Sequence, residues 1–524
     1  MSDPNLPIAP ASLELELHRI NTTLVPNHQF LEALTELMLL AKHHADDAQL
    51  WLLVGHVYTR MAHWTDAVAA LRAAIKLNPE LHAANRLLAL ALFSMGQQQQ
   101  ACELIDRLVK TSSESGDWML RAYIHAHTSR DPMRALQVAR DWGKRFADPL
   151  TRNAKPLRVA DRNPLKRLKI GYVTADFREH AVAFFMRPVL AHHNPEKVDV
   201  HVYSNGPSDH ITEQMRSLVP HWHDIHALSD EQACDQIRNQ GIDVLVDLSG
   251  YTHGHRLGIF ARRAAPVQVT WIGYMQTLGM RAMDYRFFNK TVDLYQKFYS
   301  EKLHKLICPT SYSPPAYAPL CETPPCVTNG YITFVSLNNS AKITDEALEV
   351  WAGIFRLLPD AKIIIYVKES SLDSALLQMR PRIEKCGLPL DRVSIIAQQP
   401  LDSFMETGFI ADVALDTFPV SGGTTTLHSI WMGIPVSTMQ GVSGVSNSSE
   451  SIIKGLGFGG LVAQSKKEYI INAVKFAKNI DYIVAFRKKC RKIIEDSTLM
   501  NYKARTEEVE NAFSGMWNEF LRKK

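Results

Sequence analysis

The feature that most constrains this chain is a helical repeat in its first third. From Ala48 onward, Trp51, Val54, Gly55 and Tyr58 stand on one helical face, and Ala67, Leu71 and Ala74 on the face of the next helix, before Pro79 ends the unit. About 34 residues later the register returns, with Leu88, Ala89, Leu92, Ala101, Ile105 and Leu108. Ala33, Leu37 and Leu40 precede it in phase, and a weaker unit follows with Trp118, Tyr123 and Ala135. Such a unit cannot bury its apolar face alone, so neighbours must stack into a solenoid with a concave surface. Residues 1–150 are therefore predicted to form an α-helical arm that recognises protein or peptide and does no chemistry itself.

This is the spacing of tetratricopeptide repeats. The segment "NAKPLRVADRNPLKR", rich in proline and charge, makes 151–167 a linker. From Leu168 the pattern becomes strand, helix, strand. "LKIGYVTADF" (168–177), "VDVHVYS" (198–204), "IDVLVDLSG" (242–250) and "VQVTWIGY" (267–274) are short apolar runs with helical stretches between several of them. A less regular stretch near 286–329 reads as a crossing between domains. A second series opens at "YITFVSLNN" (331–339) and continues through "AKIIIYVKE", "RVSIIAQQ", "VALDT", "IPVST" and "LVAQS". This alternation predicts two doubly wound α/β halves, 168–329 and 330–524, the second ending in a closing helix. In such sheets ligands bind beyond the carboxyl ends of the strands.

Composition excludes several classes. A net charge of +4 with no dense basic stripe argues against nucleic acid. No apolar run is long enough for a membrane span. The opening residues lack a basic region followed by an apolar core, so no secretory leader is expected. Seven cysteines without a C-x-x-C pair fit free thiols in a reducing cytoplasm.

Four loops carry candidate chemistry. In "LDTFPVSGGTTTLHSIW" (415–431), Asp416 ends a strand, Gly422 and Gly423 turn, and Thr424, Thr425 and Thr426 open a helix. Unpaired N–H groups, glycines and hydroxyls at a helix start suit a pyrophosphate, although a threonine-capped helix gives the same pattern. In "LNNSAKIT" (337–344), Lys342 offers a point charge, and Asn338 and Asn339 offer hydrogen bonds to a base or phosphate. In "TADFREHAVAFF" (174–185), His180 could act as acid, base or substrate anchor. In "DLSGYTHGH" (247–255), Gly250 and Thr252 could line an acceptor side. His253 and His255 lack a carboxylate at ligand spacing, so no metal is expected there. No D-x-D occurs, so a protein cation must do the work of a bridging metal.

Together these motifs resemble the O-linked N-acetylglucosamine transferase family, and within it the SPINDLY branch. The resemblance rests on "GYVTADFREHAVAFF", "IDVLVDLSGYT", "APVQVTWIGY", "ITFVSLNNSAKIT", "LDTFPVSGGTTT" and "WMGIPVSTMQG", in order, over nearly the whole chain. It implies repeats followed by a two-Rossmann GT-B glycosyltransferase. It further implies metal-free, inverting transfer of a sugar to a protein hydroxyl, with no cofactor beyond the nucleotide-sugar co-substrate. By resemblance Lys342 neutralises the leaving diphosphate, His180 sits beside sugar and acceptor, Asn339 meets the nucleotide, and Thr424 and Thr425 meet the pyrophosphate. The donor is a UDP-sugar, UDP-N-acetylglucosamine foremost, or GDP-fucose as in plant SPINDLY proteins; a homodimer is compatible with the arm.

Departures accompany the match. Phe404 stands where relatives carry a histidine, and His428 where relatives carry an acid that meets the donor ribose. "GYMQTLG" (273–279) and "FFNK" (287–290) also depart, and Asn447 is SPINDLY-like where many relatives carry arginine. These residues sustain a second reading, a degenerate transferase serving as a scaffold. A third, a GT-B enzyme acting on a small molecule or glycan, sits poorly with a peptide-binding arm.

Overall fold

The computed structural model describes residues 12–290, 295–307, 310–369 and 371–523. The arm forms as predicted. Ala48–Arg60 pairs with Trp64–Leu77, His82–Ser94 with Gln98–Leu108, and Ser115–Thr128 with Pro132–Trp142. Gly55 shows why the repeat needs a small residue: a Cβ there would lie 2.5 Å from Leu71 Cγ. Ala67, Leu71 and Ala74 are fully buried in the same seam.

The first half is an all-parallel sheet of seven strands: β1 (Leu168–Thr174), β2 (Val198–Ser204), β3 (His221–Asp224), β4 (Val244–Asp247), β5 (Val267–Thr270), β6 (Tyr285–Asn289) and β7 (Lys302–Leu306). Their order is β3-β2-β1-β4-β5-β6-β7. The second half has six: β8 (Thr333–Ser336), β9 (Lys362–Tyr366), β10 (Val393–Ile396), β11 (Val413–Leu415), β12 (Val436–Met439) and β13 (Val462–Ala463), ordered β10-β9-β8-β11-β12-β13. Both are doubly wound, with strand order reversing between β1 and β4 and between β8 and β11. The stretch read as a crossing contains β6 and β7. Their pattern is hidden because β6 is buried throughout and β7, at the sheet edge, is mostly polar.

The closing helix Tyr502–Arg522 does not stay with the second half. Val509, Phe513, Met516 and Trp517 pack under the first sheet with Ile170, Val200 and Val269, and Trp517 Nε1 donates to Asn163 O at 3.1 Å. Burying one large apolar side chain contributes about 1.5–3 kcal/mol, so this return crossing ties the halves together.

The arm is equally integral. Met119, Ala122, Val138, Ala139 and Trp142 share one core with Val173, Leu245, Phe260 and Leu278 of the first half. The arm also reaches the second half: Trp64 Nε1 donates to Lys368 O at 2.9 Å, Gln98 Nε2 to Ala341 O at 3.0 Å, and an Arg382 guanidinium N–H to Met95 O at 2.9 Å. Deleting residues 1–150 strips the cover from a hydrophobic core. The truncated chain is expected to lose cooperative thermal unfolding and to aggregate, as circular dichroism and light scattering would show. A soluble truncation with a sharp transition would contradict that expectation.

No helix among the described residues is long and apolar enough to cross a membrane. The six described cysteines are free thiols; Cys308 lies outside the described residues.

Candidate active site

Loops following β1, β4, β8 and β11 meet at one cavity of about 430 Å³. These are the four loops flanking the two switch points, where an open α/β sheet leaves room for a ligand. His180 and Thr252 come from the first half, and Lys342, Gly422, Gly423 and Thr424 from the second.

Three helices start at this cavity. Thr424–Trp431 begins after Gly423 and Ser448–Gly455 after Asn447, and neither has a side-chain cap. Ala181–His192 begins after His180. Each start carries partial positive charge, although Val182 N already donates to His180 Nδ1 at 3.3 Å and Ser449 N to Ser421 Oγ at 3.2 Å. Lys342 joins them from the turn Ser340–Lys342, its Nζ donating to Ser421 O at 2.8 Å. Burial lowers the Lys342 pKa, and Asp416 partly opposes this. The cavity thus gathers one lysine and three helix starts, a set of positive charge that suits a polyanion.

The candidates divide into those that face the cavity and those that hold it. Asp416 is buried beneath it. Its Oδ1 accepts from Asn338 Nδ2 at 2.8 Å, Thr417 N at 2.9 Å and Gly422 N at 2.8 Å, and its Oδ2 from Thr438 Oγ1 at 2.6 Å. Thr425 Oγ1 donates to Asn338 Oδ1 at 2.8 Å, and Thr426 Oγ1 pairs with Ser449 Oγ at 2.6 Å. Asn338, Asp416, Thr425 and Thr426 therefore direct their polar groups into the protein, and of the three threonines only Thr424 lines the cavity. Gly422 is fixed by this knot: a Cβ there would stand 2.5 Å from Thr426 Oγ1 and 2.8 Å from Thr425 Oγ1. Asn339 is exposed and caps the lysine's turn, accepting from Ala341 N at 3.0 Å.

Gly250 lies behind the wall. At φ +57° its missing Cβ leaves room for Tyr274, whose Cβ would be 2.3 Å away. His180 Nδ1 accepts from Val182 N at 3.3 Å and stands 3.7 Å from Asp176 Oδ1. Burial lowers the His180 pKa, with Asp176 opposing. Since Nδ1 accepts, the neutral ring carries its proton on Nε2.

His428 does not reach the cavity. It is buried, bonded through Nδ1 to Tyr312 OH at 2.8 Å, and packed against Phe184 and Phe404 with ring centroids 5.3 and 6.2 Å away. Burial holds its pKa down to about 4. The two departures, Phe404 and His428, are thus neighbours in one aromatic cluster. Asn447, by contrast, is buried and lines the cavity.

Two lining residues come from the arm. Tyr123 and His127 enter beside Tyr274, with His127 Nδ1 bonded to Tyr123 O at 2.7 Å. Burial, helped by the nearby Lys342 charge, holds His127 down to about 4. The arm, expected to recognise protein or peptide, thus also forms part of the cavity wall. Tyr123 sits in phase with the repeat and reads as core, which hides its second role.

Two parallel-sheet units sharing one cleft, with a helical-repeat arm in front, define a GT-B glycosyltransferase architecture. The profile of Glycosyl transferase family 41 matches residues 152–312 and 326–509. The chain belongs to this family. It is 35% identical over 394 residues to a probable UDP-N-acetylglucosamine–peptide N-acetylglucosaminyltransferase SPINDLY of Hordeum vulgare, covering 73% of this chain and 41% of that protein. The corresponding figures for the SEC protein of Arabidopsis thaliana are 27% identity, 74% and 42%. The chain thus spans about two fifths of the length of these curated relatives. A solved structure of a lysine mutant of Thermobaculum terrenum O-GlcNAc transferase superposes with a TM-score of 0.89 at 28% identity, over 97% of this chain and 98% of that one.

Proposed function

We propose that this protein transfers a sugar from a nucleotide donor, UDP-N-acetylglucosamine foremost, to a serine or threonine hydroxyl of a protein. The observation that carries this reading is the convergence of Lys342 and three helix starts on one cavity, which suits a nucleoside diphosphate leaving group. The acceptor oxygen attacks the anomeric carbon from the side opposite the diphosphate. The bond to the diphosphate oxygen breaks, its electron pair stays on that oxygen, and configuration inverts. Lys342 and the helix N–H groups hold the growing negative charge, so the step needs no metal. His180, protonated on Nε2, serves as a hydrogen-bond donor to sugar or acceptor, and the hydroxyl proton leaves to a phosphate oxygen or water. The acceptor chain lies along the arm, and the protein acts in the cytoplasm.

Asn447 gives the GDP-fucose alternative its observation, since it lines the cavity where many relatives carry arginine. Calorimetric titration with UDP and, separately, GDP tests both. UDP is expected to bind with one site per chain, and Lys342→Ala to remove that binding. Binding of GDP alone would move the donor to the GDP class. Binding of neither would overturn the enzymatic reading in favour of a scaffold.

A further inference from the structure

The first sheet carries a second cluster far from the chemistry just described. Residues alternate in facing along a strand, so Asp199, His201 and Tyr203 of β2 share a face, as do His221 and His223 of β3. The register sets His201 against His221 and Tyr203 against His223. The His201 and His221 rings stack with centroids 4.3 Å apart. Asp199 closes the group: one carboxylate oxygen is 3.3 Å from His221 Nε2 and the other 3.6 Å from His201 Nε2. The donor atoms of all three residues lie within 4.8 Å of one another.

His201 is only 5% exposed, yet its Nε2 has no hydrogen-bond partner. Its other nitrogen does: Nδ1 is 3.2 Å from His223 Nε2, and the His223 ring is held by Gln240 at 3.3 Å. A proton on His201 Nε2 would have Asp199 Oδ2 as its acceptor at 3.6 Å, beyond ordinary hydrogen-bond length. With Nδ1 donating to His223, Nε2 instead presents a lone pair to Asp199 and His221. That is how a metal-ligating imidazole is oriented, by a partner on its second nitrogen.

We propose that Asp199, His201 and His221 bind a divalent transition ion, zinc foremost, and clip edge strand β3 to β2. Zinc ligands at about 2.0–2.1 Å in a tetrahedron stand about 3.4 Å apart, close to the 3.6 Å between Asp199 Oδ2 and His201 Nε2. Two imidazoles and one carboxylate suit zinc over calcium or magnesium. Water takes the fourth position, so the ion is exchangeable. Arg167 contacts Asp199 at 3.1 Å through the oxygen that faces His221, leaving the oxygen nearer His201 for the ion. The cluster lies at the amino ends of the strands, opposite the cleft, and is independent of metal-free sugar transfer.

The test uses full-length, untagged protein freed of metal by a chelator and titrated calorimetrically with Zn2+ alone. One equivalent per chain is expected, with a rise in melting temperature. His221→Ala, at a partly exposed position, should remove that equivalent while the circular dichroism spectrum stays unchanged. His221→Cys should retain it. His223→Ala should weaken binding about 10- to 100-fold through loss of orientation. His226→Ala, an exposed neighbour outside the cluster, should leave it intact. Absence of a bound equivalent, or its full retention in both His221→Ala and Asp199→Asn, would overturn the proposal.

Discussion

Lys342→Ala is expected to abolish sugar transfer and to leave the fold standing. Removing a single preorganised donor to a developing oxyanion lowers turnover by about 10²–10³-fold, and Lys342 is the one lysine lining this cavity among the described residues. Stability moves the other way. Burial disfavours the charged form, with Asp416 partly opposing, so removing the side chain should leave the melting temperature unchanged or raise it. Lys342→Arg should fail to rescue, because the larger planar guanidinium spreads its charge over three nitrogens instead of presenting the compact ammonium seated on Ser421 O at 2.8 Å. In the parent, nucleotide binding should fall with rising pH, its descending limb below the ordinary lysine value of 10.5. Steady-state transfer to a peptide acceptor, with calorimetry across pH, checks all of this. Transfer by Lys342→Ala within tenfold of the parent would remove the lysine from the mechanism.

Asp416→Ala should be the most destabilising change in the cleft. The carboxylate gathers four donors in a buried site, from Asn338, Thr417, Gly422 and Thr438. Alanine leaves them without an acceptor, and buried unpaired groups cost about 1–3 kcal/mol each before relaxation. Allowing for partial repair, a loss of about 3–5 kcal/mol in urea unfolding is expected. Asp416→Asn should cost much less: its oxygen can keep the Asn338 and backbone donors, and the Thr438 hydroxyl can rotate to accept from its amide. Nucleotide binding should fall in both variants, because the Gly422 turn is pinned through this side chain. An Asp416→Ala protein as stable as the parent would show that the knot is not what shapes the turn.

Local pattern revealed the arm, both sheets and the four loops, because each rests on short-range periodicity. It misjudged what needs the third dimension. Asp416 and Thr425 carry the donors and acceptors a ligand would want, yet both are taken up by Asn338. Nothing within one strand shows that Thr438 and Asn338 converge on the same carboxylate. Phe404 and His428 look like separate lesions until the fold sets their rings together. The closing helix has the composition of any amphipathic helix, so only packing shows which sheet it covers. His201 and His221 sit on different strands, and only their pairing register brings the two rings face to face.

The turn that presents Lys342 is fastened from behind by the arm. Ala341 is buried in the arm's core, Gln98 holds its carbonyl, and Ser340 donates to Ser94 O at 3.2 Å. Under the proposed function, an acceptor measured along the solenoid and the cation that receives the departing charge share one datum. The arm would then work as a ruler whose zero mark is the reaction itself. A residue inserted between repeats would shift the graduations relative to that mark, changing which hydroxyl is in range while the donor stays in place.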